Sequence, residues 1–245
     1  MEIDWRISEM DLKKITEFVN QQPNRHVANR IARNINYQGL LINRDTILHS
    51  LLYSLLLPNQ RHALCPQITS VFQNNSSQFL YVKLINMPDL KEYIFETLKK
   101  NGITLDIDKS PEFFTINLFL LESANWKLLD ILIKKLYLKE SKQAEREIAD
   151  YADTLFKGFG SIEARTFLQY LGLTKYEIPI DSVVSEWLNN FGFPVKLSAT
   201  ALQDRNYYHF VSDGIQLLCK KANVYPCVLE AAIHSLSMVT FPKIA

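Results

Sequence analysis

Glycine and cysteine are scarce in this sequence, and neither sign of charge dominates it. The 245 residues include seven glycines and three cysteines, and the formal net charge is +1. The cysteines, Cys65, Cys219 and Cys227, form no C-x-x-C pair, so neither a zinc site nor a cysteine-ligated iron–sulfur cluster is predicted. We expect no metal and no cofactor, and we interpret the cysteines as reduced, buried thiols of a cytosolic protein.

Long apolar runs are also missing, and this bears on where the protein acts. No stretch reaches the roughly 18 to 20 apolar residues of a membrane span, and the segment Met1–Arg6 contains acidic residues but no apolar signal-peptide core. A net charge near zero excludes a strong global field for nucleic acid, although a local basic face is compatible with it. We expect a protein that is neither exported nor inserted into a membrane. It would be cytoplasmic, and nucleoid-associated in a prokaryote.

Apolar residues recur three and four positions apart through most of the chain, which predicts helices. The strongest such run lies between Ile47 and Leu56, with Asp45 as the expected N-cap and Pro58 as the stop. Hydrophobic residues make up 47% of the chain, enough for a sizeable core. Because glycine is scarce and helical periodicity recurs, an all-α fold is favoured over a doubly wound sheet or a β-sandwich.

Two of these helical segments are joined by the hairpin Lys157-Gly158-Phe159-Gly160-Ser161. Two closely spaced glycines allow a tight turn, and Ser161 is the expected N-cap of the second helix. Backbone amides and the positive end of the helix dipole would then face an anion, for which a phosphate is suitable. By spacing alone, the hairpin could equally be an ordinary turn with a glycine C-cap and a serine N-cap.

Asp181 follows twenty residues after Ser161. Pro179 predicts an extended segment before Asp181, and a new helix is expected to begin at Asp181 and to run to Gly192. The simplest interpretation of Asp181 is the N-cap of that helix, and a capping carboxylate is compatible with a catalytic one. His209 and His234 have no partner at metal-ligand spacing, so we interpret both as core or surface histidines.

Read together, the runs from Phe156 to Leu168 and from Ile178 to Asp181 resemble the helix–hairpin–helix signature of the DNA glycosylase superfamily. They are most similar to its archaeal-type 8-oxoguanine glycosylase/lyase branch, whose hairpin reads K-G-x-G-x-K-E-A-x-x-F-L and leads to an aspartate. The run from Leu51 to Gln60 is similar to the superfamily's early helix. The resemblance implies an all-α protein of two helical subdomains with a cleft between them. We assign residues 1–42 and 190–245 to one subdomain, residues 43–189 to the other, and the motif to about 144–172.

The resemblance also implies a function and a set of site residues. The protein would bind double-stranded DNA that carries a damaged base, flip that nucleotide and cleave its N-glycosidic bond, with Asp181 as the catalytic carboxylate. A monomer is expected. The residues expected to bind the DNA backbone are Lys157, Gly158, Phe159, Gly160, Ser161 and Arg165. The expected DNA wedge, alternatively only a solvated turn, is Asn59, Gln60 and Arg61. The expected base-stacking residues, alternatively core packing, are Tyr207, Tyr208 and Phe210.

The sequence departs from the family pattern at Ile162. Bifunctional members have a lysine at this place, which attacks the sugar C1′ and forms a Schiff base, and an isoleucine cannot do so. Lyase activity is therefore not expected. Three functions remain: a monofunctional glycosylase that uses Asp181 and a water, a DNA-binding protein that has lost the chemistry, and a helical protein-interaction domain in which the hairpin is only a turn.

Overall fold

The computed structural model describes residues 5–21, 24–57, 68, 71, 76–103 and 109–240. Within these ranges every regular element is a helix and no strand forms, which confirms the all-α prediction. No helix in the same ranges is long and apolar enough to cross a membrane. The α-helices are α1 (Glu9–Asn20), α2 (Arg25–Arg30), α3 (Arg44–Leu56), α4 (Tyr81–Leu84), α5 (Leu90–Lys100), α6 (Ser110–Ser123), α7 (Lys127–Lys135), α8 (Lys142–Leu155), α9 (Ser161–Tyr170), α10 (Ser182–Phe191), α11 (Arg205–Lys221) and α12 (Pro226–Thr240).

Three short helical turns are also described: a π-helical turn at Ile31–Ile35 and 3-10 turns at Ser76–Phe79 and Ala201–Gln203. The Ile31–Ile35 turn follows directly on α2. Its buried Asn34 donates a side-chain hydrogen bond to the carbonyl of Thr174, at 2.8 Å. This bond ties the N-terminal arm to a segment 140 residues later in the chain.

Polar side chains fix where several helices begin. Helix α3 is capped by Asn43, whose side chain accepts a hydrogen bond from the Thr46 amide at 2.9 Å. The expected cap, Asp45, lies inside the helix and accepts from the Tyr81 amide at 2.6 Å. The prediction of Asp45 was therefore wrong, because this carboxylate holds the start of α4 rather than its own helix.

The chain forms two compact units, which we call the central unit, residues 41–171, and the terminal unit, residues 1–40 with 172–245. In the central unit α3 packs against α4, α6 and α9, and α9 packs against α8. Ser50 on α3 donates to the Phe167 carbonyl at 2.6 Å, and Ser110 donates to the Leu55 carbonyl at 2.9 Å. These buried serines satisfy carbonyl groups that packing has removed from water.

In the terminal unit α12 packs against α1, α2, α10 and α11. Residues 172–189 belong to this unit, although the sequence interpretation assigned them to the other subdomain. The reason is a set of hydrogen bonds to α11. The Tyr208 hydroxyl accepts from the Ile180 amide at 2.8 Å and donates to the Ile178 carbonyl at 2.9 Å. The segment before Asp181 is thereby held along α11.

Candidate functional site

Asp181 is the N-cap of α10, as the sequence predicts. Its backbone is extended, at φ −77° and ψ −172°, and its Oδ1 accepts a hydrogen bond from the Val184 amide at 3.0 Å. The side chain keeps 27% of its surface exposed. Asp181 is thus fixed by a cap bond and still reaches solvent.

The second carboxylate oxygen of Asp181 faces a histidine on another helix. Nε2 of His234, on α12, lies 3.1 Å from Asp181 Oδ2 and 3.4 Å from Oε1 of Glu230. The other oxygen of Glu230 lies 2.7 Å from Nη1 of Arg30, on α2. We call these four residues the Asp181 network. Positive and negative groups alternate along it, from Arg30 to Asp181.

Burial and the network together determine which of two nearby histidines carries a charge. Burial opposes the imidazolium of His234, but its hydrogen bond to Asp181 and the negative charges of Glu230 and Asp181 outweigh burial and raise the pKa of His234 to about 9. The positive charge of Arg30 lowers the pKa of His234. Burial, followed by the charge of Arg30, lowers the pKa of His26 to about 4. At pH 7 His234 is charged and His26 is neutral.

The hairpin turns at Gly158, where φ is +86°. An L-residue rarely adopts this conformation, and a Cβ at Gly158 would overlap the ring of Phe113. The N-cap of α9 is Gly160 rather than Ser161, which is the first helical residue. Ser161 was therefore the wrong cap, and its hydroxyl instead donates to Asp153 Oδ2 at 3.3 Å.

Amides of the hairpin have acceptors within the protein. The Lys157 amide donates to Asn117 Oδ1 at 2.8 Å, and the Asn117 side chain returns a bond to the Lys157 carbonyl at 2.9 Å. The Phe159 amide donates to the Phe156 carbonyl at 3.3 Å. In this conformation these two amides do not point to an external phosphate.

Glu163 occupies the place expected for an anion. Its Oε2 accepts a hydrogen bond from the Gly160 amide at 2.9 Å, and it lies in the first turn of α9, where the helix dipole favours a negative group. Burial raises the pKa of Glu163, hydrogen bonds from its own amide and from Gly160 oppose this rise, and the charge of Asp153 adds to it. A DNA phosphate at Gly160 would have to displace this carboxylate.

Arg165 does not reach the surface. Its side chain is 0% exposed, Nη1 donates to the Ser161 carbonyl at 3.2 Å, and Nη2 lies 3.4 Å from Asp150 Oδ1. The guanidinium therefore links α9 to α8, and the expectation that it contacts phosphate is not met. Of the two basic side chains predicted at the hairpin, Lys157 is the exposed one.

The three aromatic residues expected to stack on a base serve other contacts. Tyr208 is fully buried and uses its hydroxyl on the segment before Asp181, so its assignment to a base pocket was wrong. The Phe210 ring packs on Trp5 with the ring centroids 4.6 Å apart. The Tyr207 hydroxyl donates to the Lys196 carbonyl at 3.3 Å. The expected wedge, Asn59, Gln60 and Arg61, lies outside the described residues.

His234, Glu230 and Arg30 were not identified as site residues from the sequence. Glu230 and His234 are four residues apart, so helical spacing alone indicates that they share a face of α12. Nothing local in the sequence connects either residue to Asp181 or to Arg30, which is 200 positions from Glu230. Cys219 and Cys227 are buried, as expected, and Cys65 lies outside the described residues.

The chain matches no protein-family model, no curated protein and no solved structure.

Proposed function

We propose that the protein is a monofunctional DNA glycosylase, which binds duplex DNA through a helix–hairpin–helix motif and excises a damaged base with Asp181. The proposal includes the cleft for the flipped base that the family resemblance implies. One observation carries it: Asp181 is a helix N-cap whose carboxylate is held by Val184 and His234 and still reaches solvent. Because 27% of the side chain is exposed, a water or a sugar can reach the carboxylate.

Cleavage of the N-glycosidic bond requires a carboxylate that is fixed in place and can be reached by water, and Asp181 meets both requirements. The base must leave the stack, because its N-glycosidic bond is shielded inside the duplex. As the bond to the base breaks, its electron pair leaves with the base and positive charge develops at C1′, which a carboxylate stabilises. A water then bonds to C1′ and gives its proton to Asp181. Ile162 provides no amine, so the reaction ends with an abasic site and not with a cleaved strand.

The hairpin supports the proposal through its turn at Gly158 and through the exposed Lys157. Binding of phosphate at Gly160 requires Glu163 to move or to share the amide. The same hydrogen bond favours a second candidate function, a helical protein-interaction domain. In that case Glu163 completes the cap, and the hairpin is only a turn between α8 and α9.

The test is incubation of the protein with duplexes that carry 8-oxoguanine, uracil, an alkylated purine or an abasic site. Asp181→Asn is the test variant, because asparagine caps a helix as well as aspartate and only the charge is lost. Asp204→Asn is the matched control, because Asp204 caps α11 by accepting from the Tyr207 amide at 2.8 Å. Loss of base release in Asp181→Asn but not in Asp204→Asn supports the proposal.

Three other results would assign the function differently. Salt-dependent duplex binding without base release leaves a DNA-binding protein that has lost the chemistry. The absence of binding at low salt favours the protein-interaction domain. A covalent adduct with abasic DNA after borohydride treatment would contradict the monofunctional assignment, because it requires a lysine nucleophile elsewhere in the chain.

A further inference from the structure

Two carboxylates converge on one nitrogen in the terminal unit. Oδ2 of Asp181 and Oε1 of Glu230 lie 3.1 and 3.4 Å from Nε2 of His234. A neutral imidazole with its proton on Nδ1 would have no hydrogen to offer either oxygen. The geometry therefore selects a histidine with a proton on Nε2. The charge of the imidazolium also balances the network, because Arg30 and His234 then oppose Glu230 and Asp181.

The network is graded in exposure toward Asp181. The side chains of Glu230 and Arg30 are 6% and 10% exposed, that of His234 is 19% exposed, and that of Asp181 is 27% exposed. Arg30 takes the oxygen of Glu230 that His234 does not face. Glu230, held by Arg30, thus fixes His234 on its buried side, and Asp181 is the member of the network most exposed to solvent.

We infer that His234 is the positioning residue of Asp181, with Glu230 and Arg30 holding it in place. This inference rests on the proposed function, in which Asp181 receives a proton from water. With Oδ1 on the Val184 amide and Oδ2 on His234, the carboxylate plane cannot rotate without losing a bond. The exposed part of the carboxylate therefore keeps a constant direction, as an attacking water requires.

A simple core histidine is the alternative, and titration separates the two cases. The charged groups that face His234 are Asp181 at the start of α10, Glu230 on α12 and Arg30 on α2. His26, also on α2, senses Arg30, Glu230 and His234, and Arg33 acts on it as well. His26 is therefore an internal reference within the same unit. It responds to a change at Glu230 but has no direct contribution from Asp181.

The first measurement is the pH titration of the histidine ring signals by NMR in the full chain. In the wild type we expect His234 to titrate near pH 9 and His26 near pH 4. Asp181→Asn should lower the His234 midpoint by about one to two pH units, because a hydrogen bond and a charge are lost together. The His26 midpoint should stay in place. Glu230→Gln should lower both midpoints. An unchanged His234 midpoint in Asp181→Asn would overturn the inference, whether or not the protein releases a base.

The second measurement is single-turnover base release as a function of pH, in the wild type and in His234→Gln. A glutamine amide can still donate to Asp181, but it carries no charge and does not titrate. We expect the wild-type rate to change as the pH rises through about 9, because His234 then loses the charge beside Asp181, and the variant to show no change there. An identical rate and pH profile in the two proteins would overturn the positioning role. If the NMR shift is observed and the wild type releases no base, the coupling of His234 to Asp181 stands and the proposed function fails.

Discussion

Raising the pH above neutrality is expected to weaken the terminal unit by removing one proton from His234. The pKa of His234 is about 9 in the folded protein and 6.5 as the ordinary value. Folding therefore favours the protonated ring. The stabilisation is fully present below pH 6.5 and is lost as the pH rises through 9. A difference of about 2.5 pH units corresponds to about 3 kcal/mol in the free energy of unfolding.

The assay is urea unfolding of the wild type and of Asp181→Asn at intervals between about pH 6 and pH 10. Asparagine keeps the cap on α10, so the two proteins differ mainly in the charge beside His234. We expect the free energy of unfolding of the wild type to exceed that of the variant by about 1.4 to 2.7 kcal/mol near pH 6, because the His234 midpoint of the variant is about one to two pH units lower, and this difference to shrink as the pH rises from about 7 through 9. The comparison cancels the titration of groups that both proteins share. A difference that stays constant across this range would show that the charge of Asp181 does not raise the pKa of His234.

Below neutral pH the free energy of unfolding is expected to change with pH in the opposite direction, because of His26. The folded pKa of His26, about 4, lies below the ordinary value of 6.5. Its contribution to stability is present above pH 6.5 and is lost as the pH falls through 4, because the unfolded chain takes up the proton more readily. The two histidines together predict greatest stability near pH 6.5.

The hairpin gives three further predictions. Gly158→Ala should lower the free energy of unfolding, measured in urea, by more than Gly102→Ala does. Both positions have a positive φ, but only at Gly158 would a Cβ overlap the ring of Phe113. Equal losses in the two variants would contradict this packing. The backbone cost alone, measured by Gly102→Ala, should be about 1 kcal/mol. Glu163→Gln keeps an oxygen for the cap and removes a charge, so duplex affinity measured by fluorescence anisotropy should rise about two- to fivefold. Unchanged affinity would remove the hairpin from DNA binding. Ile162→Lys should give a borohydride-trapped adduct with abasic duplex that the wild type lacks, and its absence from a duplex that the variant binds would contradict the family alignment.

The helices could be predicted from sequence because a helix that buries one face has apolar residues three and four positions apart. The run from Ile47 to Leu56 forms α3, and Asp181 caps α10, where the extended segment at Pro179 ends. Choices among neighbouring polar residues were less predictable. Asn43 rather than Asp45 caps α3, because the Asp45 carboxylate is used on Tyr81.

The parts of the site that failed prediction depend on contacts between distant segments. Arg165 was expected to bind the DNA backbone, but it is buried between two helices, where Asp150 and the Ser161 carbonyl contact its guanidinium. Tyr208 was expected in a base pocket and is buried against Ile178. In both cases the partner is a polar atom brought close by the fold, which apolar periodicity does not record.

The Asp181 network shows the same limit more strongly. Its members come from the start of α10, from α12 and from α2, and the contacts between these helices are made only in the folded terminal unit. Helical spacing indicates the pair of Glu230 and His234 and nothing further. The charge state of His234 follows from burial and from two carboxylates together, so it could be assigned only after the geometry was known.

The most direct test of the proposed function is single-turnover release of a damaged base from duplex DNA at about pH 7. The substrates are four duplexes, which carry 8-oxoguanine, uracil, an alkylated purine or an abasic site. The proteins compared are the wild type, Asp181→Asn and Asp204→Asn. We expect the wild type and Asp204→Asn to release the base from at least one duplex, and Asp181→Asn to release it at least about a hundredfold more slowly. Release by Asp181→Asn at the wild-type rate would contradict the assignment of the chemistry to Asp181.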